Sequence, residues 1–390
     1  MQAAITAHSP IDTEMRHWRQ TFHQHPETAY EEENTERLVA ALLTEFDLDE
    51  VHTGLAGTGV VGVLYGSRAG KNIGLRADMD ALNIQEANTF AHRSRIDGKM
   101  HACGHDGHMA MLLGAARYLS EHRDFAGKVI FIFQPAEENV AGGKRMCDEG
   151  LFRRFSVDAV YALHNWPELP AGHIAVHDRE VMASFDLFDI DIRGQGCHAA
   201  MPHLGIDSIA IAAQIVSALQ LIVSRNVDSA ERAIVSVTQM HGGDMYNVIP
   251  DTVRLSGGTR AFTPEVRNLL ENRIRATVSD IAQALGARAE IDYQRRYPPT
   301  INHPDKAQII YDVACALCGN EQVLRNPPPS MAAEDFSIML EERPGAYIWL
   351  GNGKPHSGAV LHSPRYDFND DILAIGASLW IALVQHYLKK

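Results

Sequence analysis

The chain has 390 residues, a formal net charge of −14 and an apolar fraction of 45%. This length exceeds what one hydrophobic core usually holds, so we expect two domains in an ordinary globular protein. The acidic balance argues against nucleic acid or an anionic membrane surface as the main partner.

The cysteines and the apolar segments bear on location. Five cysteines form an odd and sparse set, which indicates a reducing cytoplasm rather than a disulfide framework. Residues 1–15 lack a basic start followed by an apolar core, so we expect no signal peptide. The richest apolar stretch, residues 208–223, contains three interrupting polar side chains, and we expect it to be too short to span a bilayer.

The first part of the chain alternates between helical and strand patterns. Helical patterns cover residues 11–46, with a break at His25-Pro26, and another helix opens at Asp106 or Gly107. Strands are predicted at residues 58–65, 71–77, 128–133 and 158–163. The last two are unbroken apolar runs, typical of strands buried on both faces of a mainly parallel sheet flanked by helices.

The pattern changes near residue 183. It predicts strands at 185–192, 233–240, 252–260 and 287–293, and helices at 207–225 and 263–285. Thr263 is expected to cap the second helix, with Pro264 in its first turn. The order β-α-β-β-α-β is that of a ferredoxin-like unit.

The middle segment therefore reads as an insertion into the first domain. Residues 297–300 look like a linker, and a strand at 346–350 and a helix at 370–387 return to the first domain. We predict a catalytic domain made of residues 1–183 and 298–390, and an inserted α+β domain of residues 184–297.

Polar residues gather where the predicted strands of the first domain end. Asp78 and Asp80 follow one strand, Glu137-Glu138 follow the next, and His164 follows a third. Ligands of open α/β sheets bind at the carboxyl ends of the strands, so we expect these side chains to share one site.

Cys103 and His105 are the leading candidate metal ligands. Cys103 has His101, His105 and His108 around it, a setting that an apolar core would not tolerate without partners. Thiolate, imidazole and carboxylate are the ligands that transition metals take. His164, and His362 near the end of the chain, supply further imidazoles.

The adjacent carboxylates of Glu137 and Glu138 suggest two different roles at one site. Adjacent residues project differently, so one of Glu137 and Glu138 can bind metal while the other faces a water as a general base. Asp78 and Asp80 would hydrogen-bond to a ligand imidazole and orient it. Ordinary solvated turns are the simpler interpretation of both carboxylate pairs.

Other motifs are weaker. Cys315 and Cys318 form a C-x-x-C without a second pair, in an apolar helical setting, and we interpret them as structural. The glycines of segment 194–198 do not match a dinucleotide or phosphate-binding loop, and His198 would be catalytic only if the insert reaches the metal site. The chain has no G-x-S-x-G motif, which disfavours a serine hydrolase.

The chain resembles the M20 metallopeptidase superfamily, specifically its aminoacylase, hippurate hydrolase and auxin-conjugate hydrolase group. The matching segments span nearly the whole chain in order: residues 75–82 (LRADMDAL), 100–108 (MHACGHDGH), 133–138 (FQPAEE), 162–164 (ALH), 196–203 (GCHAAMPH), 258–260 (GTR), 333–336 (AEDF) and 361–364 (LHSP). The segment that contains Cys103 is specific to this group. Cys197 is a mild departure, because many members carry a serine or lysine before the histidine.

The resemblance implies roles for individual residues. It implies a site for two divalent metal ions (zinc, manganese, nickel or cobalt) with the ligands Cys103, His105, Glu138, His164 and His362. Glu137 would be the general base. His198 would stabilise the oxyanion in its own or the partner subunit's active site, and Asn247 and Arg260 would contact the carboxylate end of the substrate. The insert would serve for dimerisation and as a lid, which implies a homodimer or a dimer-based oligomer.

The predicted function is metal-dependent hydrolysis of a small-molecule N-acyl amino acid to a carboxylic acid and an amino acid. Acetyl, benzoyl and indole-acetyl groups all remain open as the acyl part. A dipeptidase or aminopeptidase of the same superfamily is the nearest alternative. A catalytically silent metal-binding regulator is the alternative outside the enzymes, although Glu137 and all five candidate ligands are present.

Overall fold

The computed structural model describes residues 3–138, 140–353 and 360–389. Contacts within the chain divide it into two compact units. The first unit contains Met1–Val181, Ile301–Pro329 and Asp335–Lys390, and the second contains Met182–Thr300 and Ser330–Glu334. The second unit therefore takes in a short segment, Ser330–Glu334, from far along the chain.

The chain enters the first unit with five helices and seven strands: α1 (Pro10–Gln24), α2 (Glu33–Glu45), β1 (Glu50–Leu55), β2 (Gly59–Tyr65), β3 (Arg68–Asp78), α3 (His105–Glu121), β4 (Ala126–Gln134), α4 (Gly142–Asp148), α5 (Leu151–Arg154), β5 (Ala159–Trp166), β6 (Ile174–Val176) and β7 (Glu180–Met182). The second unit follows with β8 (Phe185–Arg193), β9 (Cys197–His198), α6 (Ser208–Asn226), β10 (Ala233–His241), β11 (Val248–Ile249), β12 (Thr252–Ala261), α7 (Pro264–Ala284) and β13 (Arg288–Tyr297). The remaining elements are β14 (Thr300–Ile301), α8 (Pro304–Cys318), β15 (Val323–Arg325), α9 (Phe336–Glu342), β16 (Gly345–Gly351) and α10 (Leu373–Tyr387), with short 3-10 turns at Pro202–Leu204, Asn320–Gln322 and Asp370–Ile372.

The first unit is built on an eight-stranded sheet of order β1-β2-β4-β3-β5-β16-β6-β15. Its central strands β4, β3, β5 and β16 are parallel to their neighbours in this group. α3 packs against β3, β4 and β5, and α1 and α10 pack against α3. The predicted mainly parallel sheet flanked by helices is confirmed.

The second unit is an antiparallel sheet of order β10-β12-β8-β13 covered by α6 and α7. Asp207 caps α6 by accepting from the amides of Ile209 and Ala210, and Thr263 caps α7 by accepting from the amide of Val266. The strand order and the two crossing helices are those of a ferredoxin-like unit, as the sequence predicted.

Some details differ from the sequence predictions. Strand β1, α9 and the short strands β6, β7 and β15 were not predicted. Tyr297 and Thr300 are buried at the ends of strands, and the chain passes from the second unit to the first after Thr300. The last two residues of segment 194–198 form the short strand β9, which was not predicted and which pairs with β11.

Helix α6 also corrects a prediction. It runs for 19 residues, and by length and composition alone it could cross a membrane, so the expectation that this stretch is too short was wrong. Core helices pass the same test. Ile211, Ile215 and Leu219 of α6 lie in the hydrophobic core of the second unit.

Candidate active site

The predicted convergence of polar residues at the strand ends is found in the first unit. β3 pairs in parallel with both β4 and β5, so the carboxyl ends of the three strands lie side by side. Asp78 is the last residue of β3, Glu137 and Glu138 follow β4, and His164 lies near the end of β5. These side chains come from separate parts of the sequence and meet because parallel strands end at the same edge.

The turn from Cys103 to His105 depends on the glycine between them. Gly104 has a φ of 92°, and a Cβ atom there would collide with Asn165 and Tyr366. His105 is the first residue of α3. The turn therefore places the thiol just before the helix and the imidazole in its first turn.

Five groups of potential metal donors occur among the described residues, and in each group the donor atoms lie within 4.8 Å of one another. Three of the groups overlap at this turn and are made up of the five predicted ligands and Glu137: Cys103 with His105 and His164, Cys103 with Glu138 and His362, and His105 with Glu137 and Glu138. The other two are Asp78 with His105 and His108, and Glu137 with Glu334 and Asp335. The Sγ atom of Cys103 lies 3.4 Å from Nε2 of His164, and Nε2 of His362 lies 3.1 Å from a Glu138 oxygen. The structure thus brings together all five residues that the sequence named as ligands, with Glu137 beside them.

Hydrogen bonds orient two of the imidazoles. Nδ1 of His105 lies 2.8 Å from the carbonyl oxygen of Asp80, and Nδ1 of His164 lies 2.7 Å from the carbonyl oxygen of Asn165. A carbonyl only accepts, so each Nδ1 carries a proton, and in the neutral ring each Nε2 keeps its lone pair. The buried Nε2 of His105 has no hydrogen-bond partner among the described residues, as expected for an atom aimed at a cation.

The charges at the site also fit a cation. Burial, followed by the nearby carboxylates of Glu138 and Glu137, raises the pKa of the Cys103 thiol well above its ordinary value. Burial opposes charge on His105, yet the carboxylates of Asp78 and Asp80 raise its pKa to about 10. The surplus of negative groups calls for positive charge, and the mixture of sulfur, nitrogen and oxygen donors fits divalent transition metals.

The two aspartates that the sequence singled out have different contacts. The Asp80 carboxylate accepts from the amide of Glu138 at 2.9 Å, so Asp80 holds both His105 and Glu138. The Asp78 carboxylate lies 2.6 Å from Nδ1 of His108 and 3.7 Å from Nε2 of His105. Burial opposes charge on Asp78, but His105 and Arg76 hold its pKa well below the ordinary value.

A buried network behind the donors was not predicted. Nε2 of His108 contacts Asn165, whose side-chain amide donates to the Tyr366 hydroxyl at 2.5 Å. Arg76 donates to Asp78 and to Asp335, at 2.8 and 3.0 Å. His108 lies one helical turn after His105, and this spacing was the signal in the sequence that could have identified it.

Glu137 lies in a protected position. Its side chain is 7% exposed, and one of its oxygens lies 3.4 Å from the amide nitrogen of Asp335. The Asp335 carboxylate also accepts from the amide of Gly143 and from Gln134. The loop after β4 is thus tied to the start of α9, which fixes the main chain around Glu137.

The remaining predicted site residues, His198, Asn247 and Arg260, belong to the second unit. His198 is exposed on β9 and pairs with Val248, next to Asn247. The amide of Ala200 donates to Nδ1 of His198 at 3.0 Å. The neutral ring therefore carries its proton on Nε2, which is available as a hydrogen-bond donor.

Arg260 is placed as a candidate anion-binding residue. Its guanidinium lies 4.1 Å from the centroid of the Phe185 ring. Its buried Nη1 has no hydrogen-bond partner among the described residues. A guanidinium that is held by an aromatic face and keeps unused donors suits a carboxylate.

A mixed thiol, imidazole and carboxylate site with an adjacent buried carboxylate, at the strand ends of an α/β sheet, is the arrangement of a metal-dependent hydrolase. The family model described as Peptidase family M20/M25/M40 matches residues 74–386. The chain belongs to this family, so the family resemblance stated from the sequence is confirmed.

Three curated relatives cover nearly the whole chain. The hippurate hydrolase of Campylobacter jejuni is 39% identical over 371 residues, which is 95% of this chain and 96% of the relative. The N-acetylcysteine deacetylase of Bacillus subtilis is 35% identical and covers 97% of each chain. The IAA-amino acid hydrolase ILR1-like 2 of Arabidopsis thaliana is 38% identical and covers 95% of this chain and 84% of the relative.

Two solved structures share the fold. A putative aminohydrolase from methicillin-resistant Staphylococcus aureus has a TM-score of 0.91 at 30% identity and covers 97% of each chain. A Bacillus subtilis protein described as a dinuclear metal binding peptidase of the M20 family has a TM-score of 0.86 at 32% identity. It covers 97% of this chain and 99% of its own.

Proposed function

We propose that this protein is an amidohydrolase that cleaves N-acyl amino acids into a carboxylic acid and a free amino acid with the aid of two divalent metal ions. The observation that carries the proposal is the set of three overlapping donor groups, one of which contains Glu137. The similarity to a hippurate hydrolase, an N-acetylcysteine deacetylase and an IAA-amino acid hydrolase supports the reaction class.

We assign Cys103, His105, Glu138, His164 and His362 as the metal-binding residues. Three of the donor groups are made up of these residues and Glu137, and Cys103, His105 and Glu138 each belong to two of the three, which supports two adjacent ions rather than one. When bound, the ions would polarise the amide carbonyl and lower the pKa of water. Zinc, manganese, nickel and cobalt are the candidate metals for this mixture of sulfur, nitrogen and oxygen donors.

We assign Glu137 as the general base. It is buried, and its carboxylate lies within 4.8 Å of donor atoms of His105 and Glu138. The assignment above does not use it as a ligand. In the proposed reaction it takes a proton from the attacking water and returns it to the leaving amide nitrogen. Low exposure keeps bulk water from competing for that proton.

We assign His198, Asn247 and Arg260 to the substrate. The Nε2–H of His198 would donate to the oxygen that becomes negative in the tetrahedral intermediate. Arg260 would bind the carboxylate of the amino acid part through its unused guanidinium donors, with Asn247 as a further contact. The role of the second unit as a lid is part of the same proposal.

The second unit also offers a surface for self-association. β10 is an edge strand of its sheet and exposes Ile234 and Met240, and α6 exposes Ile209 and Leu221. An open edge with apolar side chains invites pairing with another strand. We propose a homodimer formed by this face.

We also propose a cytoplasmic location. The five free cysteines agree with it, because free thiols are typical of a reducing compartment.

A peptidase activity is the second candidate. A relative named Thermostable carboxypeptidase 1, from Saccharolobus solfataricus, is 37% identical and covers 92% of this chain. The test is therefore a panel of acetyl-, benzoyl- and indole-acetyl-amino acids together with dipeptides, assayed with added metal and with chelator. Metal-dependent release of amino acid from the acyl compounds is expected. Cleavage of dipeptides but of none of the acyl compounds would establish a peptidase. If the metal-loaded protein cleaves neither, the catalytically silent metal-binding regulator is the remaining hypothesis.

A further inference from the structure

A column of aromatic rings lies next to one of the candidate metal ligands. In the pairing of β5 with β16, His164 stands opposite Trp349. Trp166 follows His164 by two positions on β5, and side chains two apart on a strand point to the same face. His164, Trp166 and Trp349 therefore share one face of the sheet.

The two indoles form a tight stack. The ring centroids of Trp166 and Trp349 are 4.0 Å apart and the planes differ by 7°. The His177 ring meets the Trp349 ring edge-on at 4.6 Å. Trp349 and His177 are buried at 2% exposure, whereas Trp166 is half-buried. The buried rings thus fix the orientation of Trp166, and Trp166 presents the exposed part of the column.

The exposed indole begins close to the donor cluster. The ring centroids of His164 and Trp166 are 6.3 Å apart, and the Nε2 atom of His164 faces the Cys103 thiol at 3.4 Å. A substrate whose amide carbonyl is held at the donor cluster would therefore have its acyl group about one ring width from the indole of Trp166.

We propose that Trp166, backed by Trp349, receives the acyl group and makes the enzyme selective for planar aromatic acyl groups over acetyl. The proposal rests on the amidohydrolase function proposed above and names its substrate class. A benzoyl or indolyl ring can stack on or meet the edge of an indole, whereas an acetyl group offers one methyl to that surface. Since the buried rings hold Trp166 in place, little side-chain freedom is lost when the substrate binds.

The test compares kcat/KM for N-benzoylglycine and N-acetylglycine in the metal-loaded wild type, Trp166→Leu and Trp166→Phe. We expect the wild type to prefer the benzoyl compound. Trp166→Leu should lower that preference about tenfold, and Trp166→Phe should retain most of it. Metal content must match the wild type, because Trp166 is close to His164.

The outcomes separate the two proposals. A wild type that hydrolyses neither compound contradicts the amidohydrolase function itself. A wild type that favours acetyl, or a Trp166→Leu variant with an unchanged rate ratio, overturns the aromatic selectivity and leaves the reaction class standing.

Inhibition by reaction products provides a measurement that needs no variant. Benzoate should inhibit the wild type more strongly than cyclohexanecarboxylate, which has the same ring size but is not planar. Equal inhibition, or stronger inhibition by the saturated acid, would contradict stacking on Trp166 even if the variants fail to fold.

Discussion

The Nδ1 atom of His105 lies 2.8 Å from the main-chain carbonyl oxygen of Asp80. This bond links the first turn of α3 to the segment after β3, and it sets the tautomer of the imidazole. The Asp80 carboxylate meanwhile accepts from the amide of Glu138 at 2.9 Å. One residue therefore positions two of the proposed ligands, which come from different elements.

Removing the thiol should remove metal. We expect Cys103→Ala to bind fewer than two metal ions per subunit and to lose activity in parallel, because Cys103 belongs to two of the three overlapping donor groups. Cys315→Ala is the matched control, since Cys315 is a half-buried free cysteine of α8. Metal analysis of the purified proteins decides the point, and an unchanged stoichiometry in Cys103→Ala would take Cys103 out of the ligand set.

Changing the proposed base should separate metal binding from turnover. Glu137→Gln keeps the shape of the side chain but cannot accept a proton, so we expect near-normal metal content with kcat lowered about 10²- to 10⁴-fold. Glu138→Gln should instead lower metal content together with kcat. The two residues are adjacent, which makes them controls for each other. A fully metallated Glu137→Gln protein with wild-type kcat would contradict the assignment.

The sequence predicted the parts of the site that local patterns encode. Asp78, Glu137 and His164 each follow or end an apolar strand, and the rule for parallel sheets is enough to bring them together. The contact between Asn165 and Tyr366 joins residues 201 positions apart. No strand or helix pattern predicts such a contact, because it depends on how the segment around Tyr366 packs against β5.

The stacked indoles were missed for a similar reason. Trp166 and Trp349 lie on strands that are distant in sequence and adjacent in the sheet. Their contact follows from the register of β5 with β16, and register is set by the whole fold rather than by either segment. The sequence patterns therefore predicted the candidate metal ligands and the candidate base better than the aromatic surface that we propose to receive the acyl group.

Stability should fall at alkaline pH because of a buried histidine. Burial opposes charge on His23, but hydrogen bonds to Asp106 and Glu86 raise its pKa to about 9. A folded-state pKa above the unfolded value means that the contribution is fully present below about pH 6.5 and is lost as the pH rises through about 9. The loss is at most about 1.4 kcal/mol per pH unit in this window.

The measurement is the free energy of unfolding by urea between pH 6 and pH 10 in the presence of chelator, which removes the pH dependence of metal binding. His23→Gln should flatten the decline relative to the wild type. His17→Gln, an exposed histidine on the same helix, should leave the decline unchanged. A His23→Gln protein with the wild-type slope would show that His23 does not titrate in this range.

The final prediction concerns His198 and the proposed dimer. We expect His198, which is exposed on β9 of the unit that we propose as the dimer surface, to act in the active site of the partner subunit. Tagged co-expression yields heterodimers of His198→Ala with Glu137→Gln. If His198 acts in the partner's site, the subunit with an intact Glu137 receives an intact His198, and about half of the wild-type activity should return although both parent homodimers are inactive.

A second heterodimer reverses the expectation and serves as the matched control. Wild-type subunits paired with the His198→Ala/Glu137→Gln double variant place one defect in each site when His198 acts in the partner, so this heterodimer should be inactive. If His198 acts within its own subunit, the wild-type half of the control keeps its activity and the first heterodimer stays inactive. Opposite results from the two mixtures distinguish the arrangements without relying on the stability of any one variant, because both mixtures contain the same two substitutions.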